Sequence, residues 1–249
     1  MVDRSNVFSR VNASFFICRP RSMDTHGVEI SLGRIFSTPC ECAWRKASEG
    51  QSYSLSAAER HATRGFAPKR EQEFVAGRLA AHECLARLRC SIETIPIGSD
   101  REPIWPDGIV GSISHSTSLA VAVAARAAEV VALGIDLEKA DAVSPDLWPL
   151  ILTEAERDWL DRKPDFERRN WATVMYSTKE AFFKYQFPIT RLWIDYSAVT
   201  VAIFEKDGYV QLKTESHMQI GHRRSDTHLG RFDCGEQFVL AGFSQTNGQ

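Results

Sequence analysis

Three apolar segments lie close together near the middle of the chain, and they limit its fold more than any other feature. Residues 109–114, 119–125 and 130–138 are rich in Val, Ile, Leu and Ala, and short polar stretches separate them. Segments of this length between turn-forming residues are typical of β-strands. We expect the second and third strands to pair through a turn at residues 126–129.

Helical periodicity predicts helices on both sides of these strands. The predicted helices cover residues 69–88, 146–163 and 171–187, with Pro188 ending the last, and a capping box at Ser56 and Glu59 opens a shorter one. Further strands are predicted at residues 28–32, 199–204, 209–212 and 238–243, whereas residues 37–50 and 222–231 are expected to be loop. The sequence therefore predicts an α+β fold with mostly antiparallel strands.

Composition and charge exclude several classes of protein. The chain has 249 residues, 43% of them hydrophobic, and a formal net charge of -2, which argues against a broad nucleic-acid-binding surface. It contains neither GxGxxG nor GxxxxGK[ST], so we do not expect a Rossmann or P-loop nucleotide site. Residues 1–16 lack the apolar run of a secretory signal, and the longest apolar run, residues 119–125, is too short to cross a bilayer. We expect a cytoplasmic protein with no membrane partner.

Two acidic residues end the third predicted strand, in the sequence Gly134-Ile-Asp136-Leu-Glu138. Alternate residues of a strand point to the same face, so Asp136 and Glu138 would present their carboxylates side by side. Like charges this close repel each other unless a cation joins them, and oxygen ligands suit Mg²⁺, with Mn²⁺ as a substitute. The alternative is a pair of acids on a solvated strand face.

The last predicted helix contains Glu180 and Lys184, which are four residues apart and share a helix face. They could form a surface ion pair, which contributes little to stability. Alternatively, Glu180 is a third metal carboxylate and Lys184 faces a phosphate. The second arrangement suits phosphoryl transfer, in which the protein mostly positions groups and stabilises charge.

Two other groups of residues could hold phosphate. Ser114 and His115 follow small residues at a strand end, where side chains and backbone N–H groups can approach a phosphate closely, although a polar strand end has the same composition. Arg70 and Arg78 lie ~12 Å apart along the first long predicted helix and within a quarter turn of each other. By themselves, two such arginines are typical of a solvated helix face.

These motifs occur together in one order along the chain. The series is Arg70…Arg78, Pro103-Ile-Trp-Pro106, Gly111-Ser-Ile-Ser-His115, Gly134-Ile-Asp-Leu-Glu138 and Ser177-Thr-Lys-Glu-Ala181…Lys184. It resembles the 4′-phosphopantetheinyl transferase superfamily, in particular the branch similar to enterobactin synthase component D, which is related to the surfactin-type enzymes. The resemblance covers roughly residues 60–202. Tyr176 and Ala181 depart from the family pattern, in which Phe or Trp and Ser are usual.

The resemblance implies a pseudo-dimeric fold of two similar α/β halves, residues 1–130 and 131–249, with the active site between them. It implies an enzyme that transfers the 4′-phosphopantetheine group of coenzyme A to a serine of an apo acyl, aryl or peptidyl carrier protein. The second product is adenosine 3′,5′-bisphosphate. Mg²⁺ is the implied cofactor, and we expect a monomer.

The resemblance also implies a role for each motif residue. Asp136 and Glu180 match the magnesium ligands, and Glu138 matches an acid that binds the metal directly or through water. Arg70, Arg78 and His115 match groups that hold the 3′-phosphate of coenzyme A, with Ser114 beside them, and Arg101 matches a basic residue near its phosphates. Lys179 and Lys184 match the lysines near the diphosphate, and Glu180, or a water that it orients, is the expected base.

Two other functions remain open at this point. A magnesium-dependent phosphodiesterase or nuclease could use the same three carboxylates, although the near-neutral charge argues against a polyanion substrate. A module without catalytic activity could bind coenzyme A or a carrier protein, although the presence of all three acids argues against it.

Overall fold

The computed structural model describes residues 25–49, 55–91, 94–116 and 118–248. Its helices are α1 (Thr25–Ile35), α2 (Ala57–Ala62), α3 (Pro68–Arg87), α4 (Trp148–Ile151), α5 (Glu154–Asp161) and α6 (Asp165–Thr190). Its strands are β1 (Glu41–Lys46), β2 (Ile109–Ser116), β3 (Leu119–Arg126), β4 (Val130–Lys139), β5 (Val199–Phe204), β6 (Tyr209–Ile220), β7 (Arg223–Cys234) and β8 (Phe238–Thr246). The predicted combination of helices with antiparallel strands is confirmed. Among the described helices, none combines the length and apolarity needed to cross a bilayer.

The strands form two antiparallel sheets, each covered by one long helix. The first sheet has the order β1-β3-β2 and packs against α3, and the second has the order β4-β8-β7-β6-β5 and packs against α6. In each half, the first strand pairs with the last one, although helices and other strands lie between them in sequence. This common arrangement confirms the two similar halves that the family resemblance implied.

A buried glutamate ties together the parts of the N-terminal half. Ser56 and Glu59 form the predicted capping box at the start of α2. The same glutamate accepts a hydrogen bond from His82 of α3, 23 residues further along, at 2.9 Å. It also accepts one from the backbone N–H of Ile95, beyond α3, at 3.0 Å. One carboxylate thus joins the short helix, the long helix and the segment that follows.

The C-terminal half repeats this arrangement. Thr153 and Glu156 form a capping box at the start of α5. Glu156 accepts a hydrogen bond from Lys179 of α6, again 23 residues further along, at 2.8 Å. It also accepts one from the backbone N–H of Val201, beyond α6, at 2.7 Å. The repetition of cap, spacing and partners supports an internal duplication of one structural unit.

The two sheets meet along β2 and β4, which lie side by side in different sheets. Serine side chains join them, because Ser112 Oγ accepts from the Ile135 N–H at 3.1 Å and Ser114 Oγ accepts from the Leu137 N–H at 3.2 Å. These hydroxyls satisfy buried backbone donors. A cluster of aliphatic side chains from both sheets is buried around this seam, so the two halves share a core.

Helix α6 lies directly on β4 because residue 134 has no side chain. A Cβ atom at Gly134 would lie 2.1 Å from the carbonyl oxygen of Ala181 and 2.6 Å from the backbone nitrogen of Tyr185. Any larger residue would push the helix away from the strand. The glycine therefore allows side chains of α6 to reach the acidic residues of β4.

Two predictions for the N-terminal region are wrong. Residues 28–32 belong to α1 rather than to a strand, because Val28, Leu32 and Ile35 recur at helical spacing and are buried together. Residues 41–46 were expected to be loop but form β1, because they pair with β3 along their whole length. Pairing with a neighbouring strand can form a β-strand even where the local sequence has only a weak preference for one.

The predicted pairing of the second and third strands is also wrong. β3 pairs with β1 and β2, whereas β4 crosses into the other sheet and pairs with β8. Residues 127–129 therefore form a turn between two sheets rather than the turn of a hairpin. Sequence spacing alone cannot distinguish these two cases, since the correct partner of β4 lies about a hundred residues further along.

Three further boundaries differ in the C-terminal half. The helix predicted at 146–163 is divided, because Thr153 caps a new helix there. The last helix includes Pro188 and ends before Arg191, which adopts the left-handed conformation with φ 56°. Residues 222–231, expected to be loop, lie mostly in β7, where pairing with β6 supplies the hydrogen bonds.

Candidate active site

Asp136 lies at the meeting point of β2, β4 and α6, with only 2% of its surface exposed. Its Oδ1 accepts hydrogen bonds from Ser114 Oγ at 2.8 Å and from Lys184 Nζ at 2.7 Å. The same ammonium donates to Ser114 Oγ at 3.0 Å. Three residues that were predicted from separate motifs thus meet at one carboxylate, and each comes from a different element.

The second carboxylate oxygen of Asp136 lacks a partner. Oδ2 is buried and accepts no hydrogen bond from the residues that the structure describes. Leaving a buried carboxylate oxygen unsatisfied is costly, and such atoms in folded proteins usually face a ligand, a water or an ion. The orphaned oxygen therefore fits a divalent cation.

Glu138 follows on the same face of β4. Burial raises the pKa of its carboxyl to about 7, the negative charges of Asp136 and Glu180 add to the rise, and the positive charge of Lys184 opposes it. The structure therefore brings the three predicted metal carboxylates close enough to repel one another. Hard oxygen donors in this arrangement suit Mg²⁺ or Mn²⁺.

Two of these carboxylates are held by other protein groups. Lys184 binds Asp136, and the hydroxyl of Tyr196 donates a hydrogen bond to Glu180. Burial first, and the contact with Glu180 second, raise the pKa of Tyr196, so its hydroxyl stays protonated. Within the described ranges, no three His, Cys, Asp or Glu side chains form a ready-made metal cage. The acids are neighbours, but they are not arranged as a complete coordination shell.

His115 extends from β2 toward α3, where it meets Arg70. Arg70 contacts His115 Nε2, and Glu73 Oε2 lies 3.4 Å from His115 Nδ1. Burial, followed by the positive charges of Arg70 and Lys184, lowers the pKa of His115 to about 4. The imidazole is therefore neutral at pH 7, so that Nε2 accepts from the arginine and the proton lies on Nδ1, the nitrogen nearer the glutamate.

Arg78 lies about two turns after Arg70 on α3. It is almost fully buried, with 5% of its surface exposed. Its guanidinium packs over the ring of Phe74 at 4.9 Å, and its Nε is buried without a hydrogen-bond partner. Burial lowers the pKa of Arg78 to about 10, against the opposing effect of Glu59, and the group stays charged at pH 7. A buried cation without a bonded counter-ion is unfavourable, and an anionic ligand would stabilise it.

The position of Lys179 contradicts its predicted role at the diphosphate. The residue is 3% exposed, and its Nζ donates to Glu156 Oε2 and to the carbonyl oxygens of Ile151 and Tyr196, all at 2.8 Å. These bonds use all three ammonium protons. The prediction is wrong because position 179 of α6 faces the interior beneath α4 and α5, where the lysine joins the buried cluster described above.

Arg101 is exposed in a turn and adopts a left-handed conformation with φ 68°. Within the described residues its side chain forms no ion pair with the phosphate-site residues, so its role stays a prediction. Sequence reasoning missed Glu73 and Tyr196. Glu73 could have been found, because it lies three residues from Arg70 on the same helix face, but Tyr196 carries no recognisable motif.

A cavity of about 320 Å³ adjoins Glu180. Its walls include the aromatic rings of Phe182, Phe183 and Trp193 together with Tyr196. The cavity lies beside the carboxylate of Glu180. A mostly apolar wall with few polar groups is usual for small-molecule sites.

Comparison with known proteins identifies the family. Residues 58–125 match the model of the 4′-phosphopantetheinyl transferase N-terminal domain, and residues 132–239 match the model of the 4′-phosphopantetheinyl transferase superfamily. The 4′-phosphopantetheinyl transferase Svp of Streptomyces mobaraensis is 32% identical over 182 residues, which are 71% of this chain and 73% of that protein. This chain belongs to the 4′-phosphopantetheinyl transferase family. The resemblance inferred from the motifs is thereby confirmed.

Other phosphopantetheinyl transferases match over shorter lengths. PptT of Mycobacterium tuberculosis is 33% identical over 139 residues, 56% of this chain and 60% of that protein. Enterobactin synthase component D of Salmonella typhimurium is 37% identical over 120 residues, 47% of this chain and 48% of that protein. A crystal structure of a holo-(acyl-carrier-protein) synthase from Bacillus anthracis superimposes with a TM-score of 0.37 and 20% identity, covering 48% of this chain and 98% of that one. The boundary predicted between residues 130 and 131 stays a prediction.

Proposed function

We propose that this chain transfers the 4′-phosphopantetheine group of coenzyme A to a serine hydroxyl of an apo carrier protein and releases adenosine 3′,5′-bisphosphate. The observation that carries the proposal is the junction at Asp136, where Ser114 and Lys184 meet one carboxylate between the two halves. Membership of the family supplies the reaction class. The junction brings acids and a cation together where the two halves meet, with the candidate phosphate-binding residue His115 beside them.

The 3′-phosphate of coenzyme A would bind beside α3. Arg78 is a buried cation whose Nε lacks a partner, and Arg70 contacts the neutral imidazole of His115. A phosphate arriving there would accept charge-assisted hydrogen bonds from both guanidinium groups. Its negative charge would also favour protonation of His115 and so add a third donor.

Asp136, Glu138 and Glu180 would hold Mg²⁺, or Mn²⁺ in its place. The supporting observations are the unpartnered Oδ2 of Asp136 and the raised pKa of Glu138, which results from burial first and from the charges of Asp136 and Glu180 second. When bound, the metal would neutralise charge on the diphosphate oxygens of coenzyme A. Tyr196 donates to Oε1 of Glu180, so Oε2 would be the oxygen available to the metal.

The chain's own residues would then position the reacting groups. The carrier serine oxygen forms a bond to the phosphorus that bears the pantetheine, and the bond from that phosphorus to the departing bisphosphate breaks. Glu180, or a water that it orients, accepts the serine proton. Lys184 can stabilise the negative charge that develops on the leaving phosphate, because its ammonium already lies at the junction. The pantetheine arm would extend into the aromatic cavity beside Glu180.

The nucleophile in this scheme belongs to the partner, so no residue of this chain forms a covalent bond to the substrate. The partner is a carrier protein. Contacts outside the reacting groups would decide whether acyl, aryl or peptidyl carrier proteins are accepted. We propose that a single chain is sufficient for activity, because both halves of the cleft come from the same polypeptide.

Mass spectrometry of an apo carrier protein, incubated with coenzyme A, Mg²⁺ and the enzyme, tests the proposal. We expect the carrier to gain one phosphopantetheine group with the wild type and with Asp158→Asn, a matched control on an exposed helix position. Asp136→Asn keeps the shape of the side chain but removes its charge, and we expect it to abolish the gain. Hydrolysis of coenzyme A or of nucleic acid without modification of the carrier would support a phosphodiesterase instead. Binding without any reaction would support a non-catalytic module.

A further inference from the structure

The second sheet opens between β7 and β8. The two strands pair only where residues 231–234 face residues 239–242. Beyond Gly242, β8 continues along β4 and the earlier part of β7 continues along β6. A cavity of about 550 Å³ lies at this opening, with Gly230 and Gly242 among its walls. That volume falls within the range of small-molecule binding sites.

His228 of β7 lines the opening and is 5% exposed. Its Nε2 is buried without a hydrogen-bond partner, while the ring packs against Phe182 with centroids 4.8 Å apart. Burial, followed by the positive charge of Arg223, lowers the pKa of His228 to about 4, and a bond to the backbone of Ser225 opposes this. The histidine is therefore a neutral polar group with an unsatisfied nitrogen, and such groups usually face a ligand or a water.

Positive charge surrounds this nitrogen. Arg223 and Arg231 line the cavity, and neither forms an ion pair with the residues that the structure describes. Among those residues, Asp207 is the one acid on the lining, so the wall carries a net positive charge. Burial raises the pKa of Tyr185, and the charge of Arg223 opposes that rise, so Arg223 acts on the interior of the opening. The Tyr185 hydroxyl donates to Gln245 Oε1 at 2.8 Å.

We propose that this opening binds a small anionic molecule, a carboxylate or a phosphate ester, whose charge pairs with Arg223 while a polar group bonds to His228 Nε2, and that Arg231, further along the cavity wall, adds to the attraction. The site is separate from the transferase cleft. Consecutive residues of α6 face the two places, Lys184 toward Asp136 and Tyr185 toward Gln245. A ligand in the opening therefore contacts the catalytic helix without entering the cleft.

Two anionic probes test the proposal on the full chain without Mg²⁺, first in the absence of coenzyme A and then with saturating coenzyme A, which would occupy the proposed transferase site. Inorganic phosphate and citrate are titrated separately, with calorimetry for affinity and the ¹⁵N resonance of His228 Nε2 as the local readout. We expect at least one probe to bind and to shift that resonance. The tighter probe identifies the ligand as a phosphate or a carboxylate.

Two variants complete the test. The double variant Arg223→Ala with Arg231→Ala removes two exposed side chains, so we expect it to fold and to bind the probe at least about tenfold more weakly. Arg224→Ala is the matched control, since Arg224 is exposed on the same strand outside the cavity wall, and we expect wild-type binding. The proposal is overturned if neither probe shifts the His228 resonance, if coenzyme A abolishes the shift, or if the double variant and the control bind equally well.

Discussion

The Lys184 ammonium lies 2.7 Å from Asp136 Oδ1 and joins α6 to β4 through an ion pair at the seam between the two halves. Ser114 of β2 bonds to both partners, so the pair has contacts with both sheets. The lysine therefore already occupies one face of the carboxylate on which the proposed metal would depend. Its place suggests a group that positions the acid and meets the charge of the departing phosphate.

Lys184→Met should slow transfer without unfolding the protein. The lysine side chain is 27% exposed but that of Asp136 only 3%, so the variant leaves a buried carboxylate held by Ser114 alone, and we expect some loss of stability with the fold retained. Loss of one preorganised charge in an active site typically lowers kcat by about 10²–10³. Steady-state transfer rates, with thermal melting as the check on folding, measure the effect. An unchanged kcat would remove Lys184 from the proposed chemistry.

Lys179→Met should have the opposite effect. Both partners of the Lys179–Glu156 pair are essentially inaccessible, with 1% and 0% of their side chains exposed. Removing one partner of a buried pair typically costs about 3–5 kcal/mol of stability, because the other charge is left uncompensated. Urea unfolding should show this loss, while kcat per folded molecule at low temperature should match the wild type. A fall in kcat with unchanged unfolding would restore the catalytic role that the sequence first suggested.

Arg78→Ala should weaken the binding of coenzyme A through its 3′-phosphate. Loss of a charge-assisted hydrogen bond costs ~1.5–3 kcal/mol, which predicts a KM for coenzyme A that rises by about tenfold to a hundredfold. The KM for 3′-dephospho-coenzyme A should change much less, because that substrate lacks the group. Arg64→Ala, at an exposed position before α3, serves as the control. Equal changes for both substrates would exclude the 3′-phosphate role.

The contribution of Glu138 to the stability of the metal-free protein should fall as the pH rises from about 4.5 to about 7, opposite in sign to the contributions of His115 and His228, whose pKa values are lowered. The pKa of Glu138 is raised to about 7 in the folded state, so the folded protein holds this proton over a range in which the unfolded chain has lost it. The stabilisation is therefore complete below the unfolded pKa and is lost as the pH rises through the folded one. Urea unfolding across this range measures the slope.

Glu138→Gln supplies the comparison for that slope. It should lack the loss of stability that Glu138 contributes, so the wild type should lose stability relative to this variant as the pH rises, whereas Glu215→Gln, at an exposed strand position, should follow the wild type. Mg²⁺ should stabilise the wild type more at pH 8 than at pH 5, because the metal competes with the proton for the same oxygens. A slope that survives in Glu138→Gln would assign it to another group.

Two pairs of candidate site residues could be predicted from the sequence, because each pair lies within one element of simple periodicity. Alternation along β4 places Asp136 and Glu138 on one face, and the four-residue spacing on α6 places Glu180 and Lys184 together. What brings the two pairs together is Gly134, whose missing side chain lets the helix rest on the strand. That contact is tertiary, and it could be inferred only through the family.

The failures have a common physical cause. Lys179 lies within the same motif as Glu180, but adjacent helix positions point about 100° apart, and a motif carries no information about which side is buried. β1 and β7 were missed because their strand character comes from neighbours, β3 and β6 respectively, rather than from their own residues. Local patterns predict helices and strands from neighbouring residues, whereas pairing with distant segments determines which segments form strands.

The serine bridges between β2 and β4 have a consequence for how the chain is held together. The Ile135 and Leu137 N–H groups are satisfied by side chains of the opposite half, and apolar groups from both halves are buried around them. The turn at residues 127–129 supplies none of these bridges. Two polypeptides cut within that turn should therefore reassemble into one working enzyme, and neither should remain soluble for long without the other.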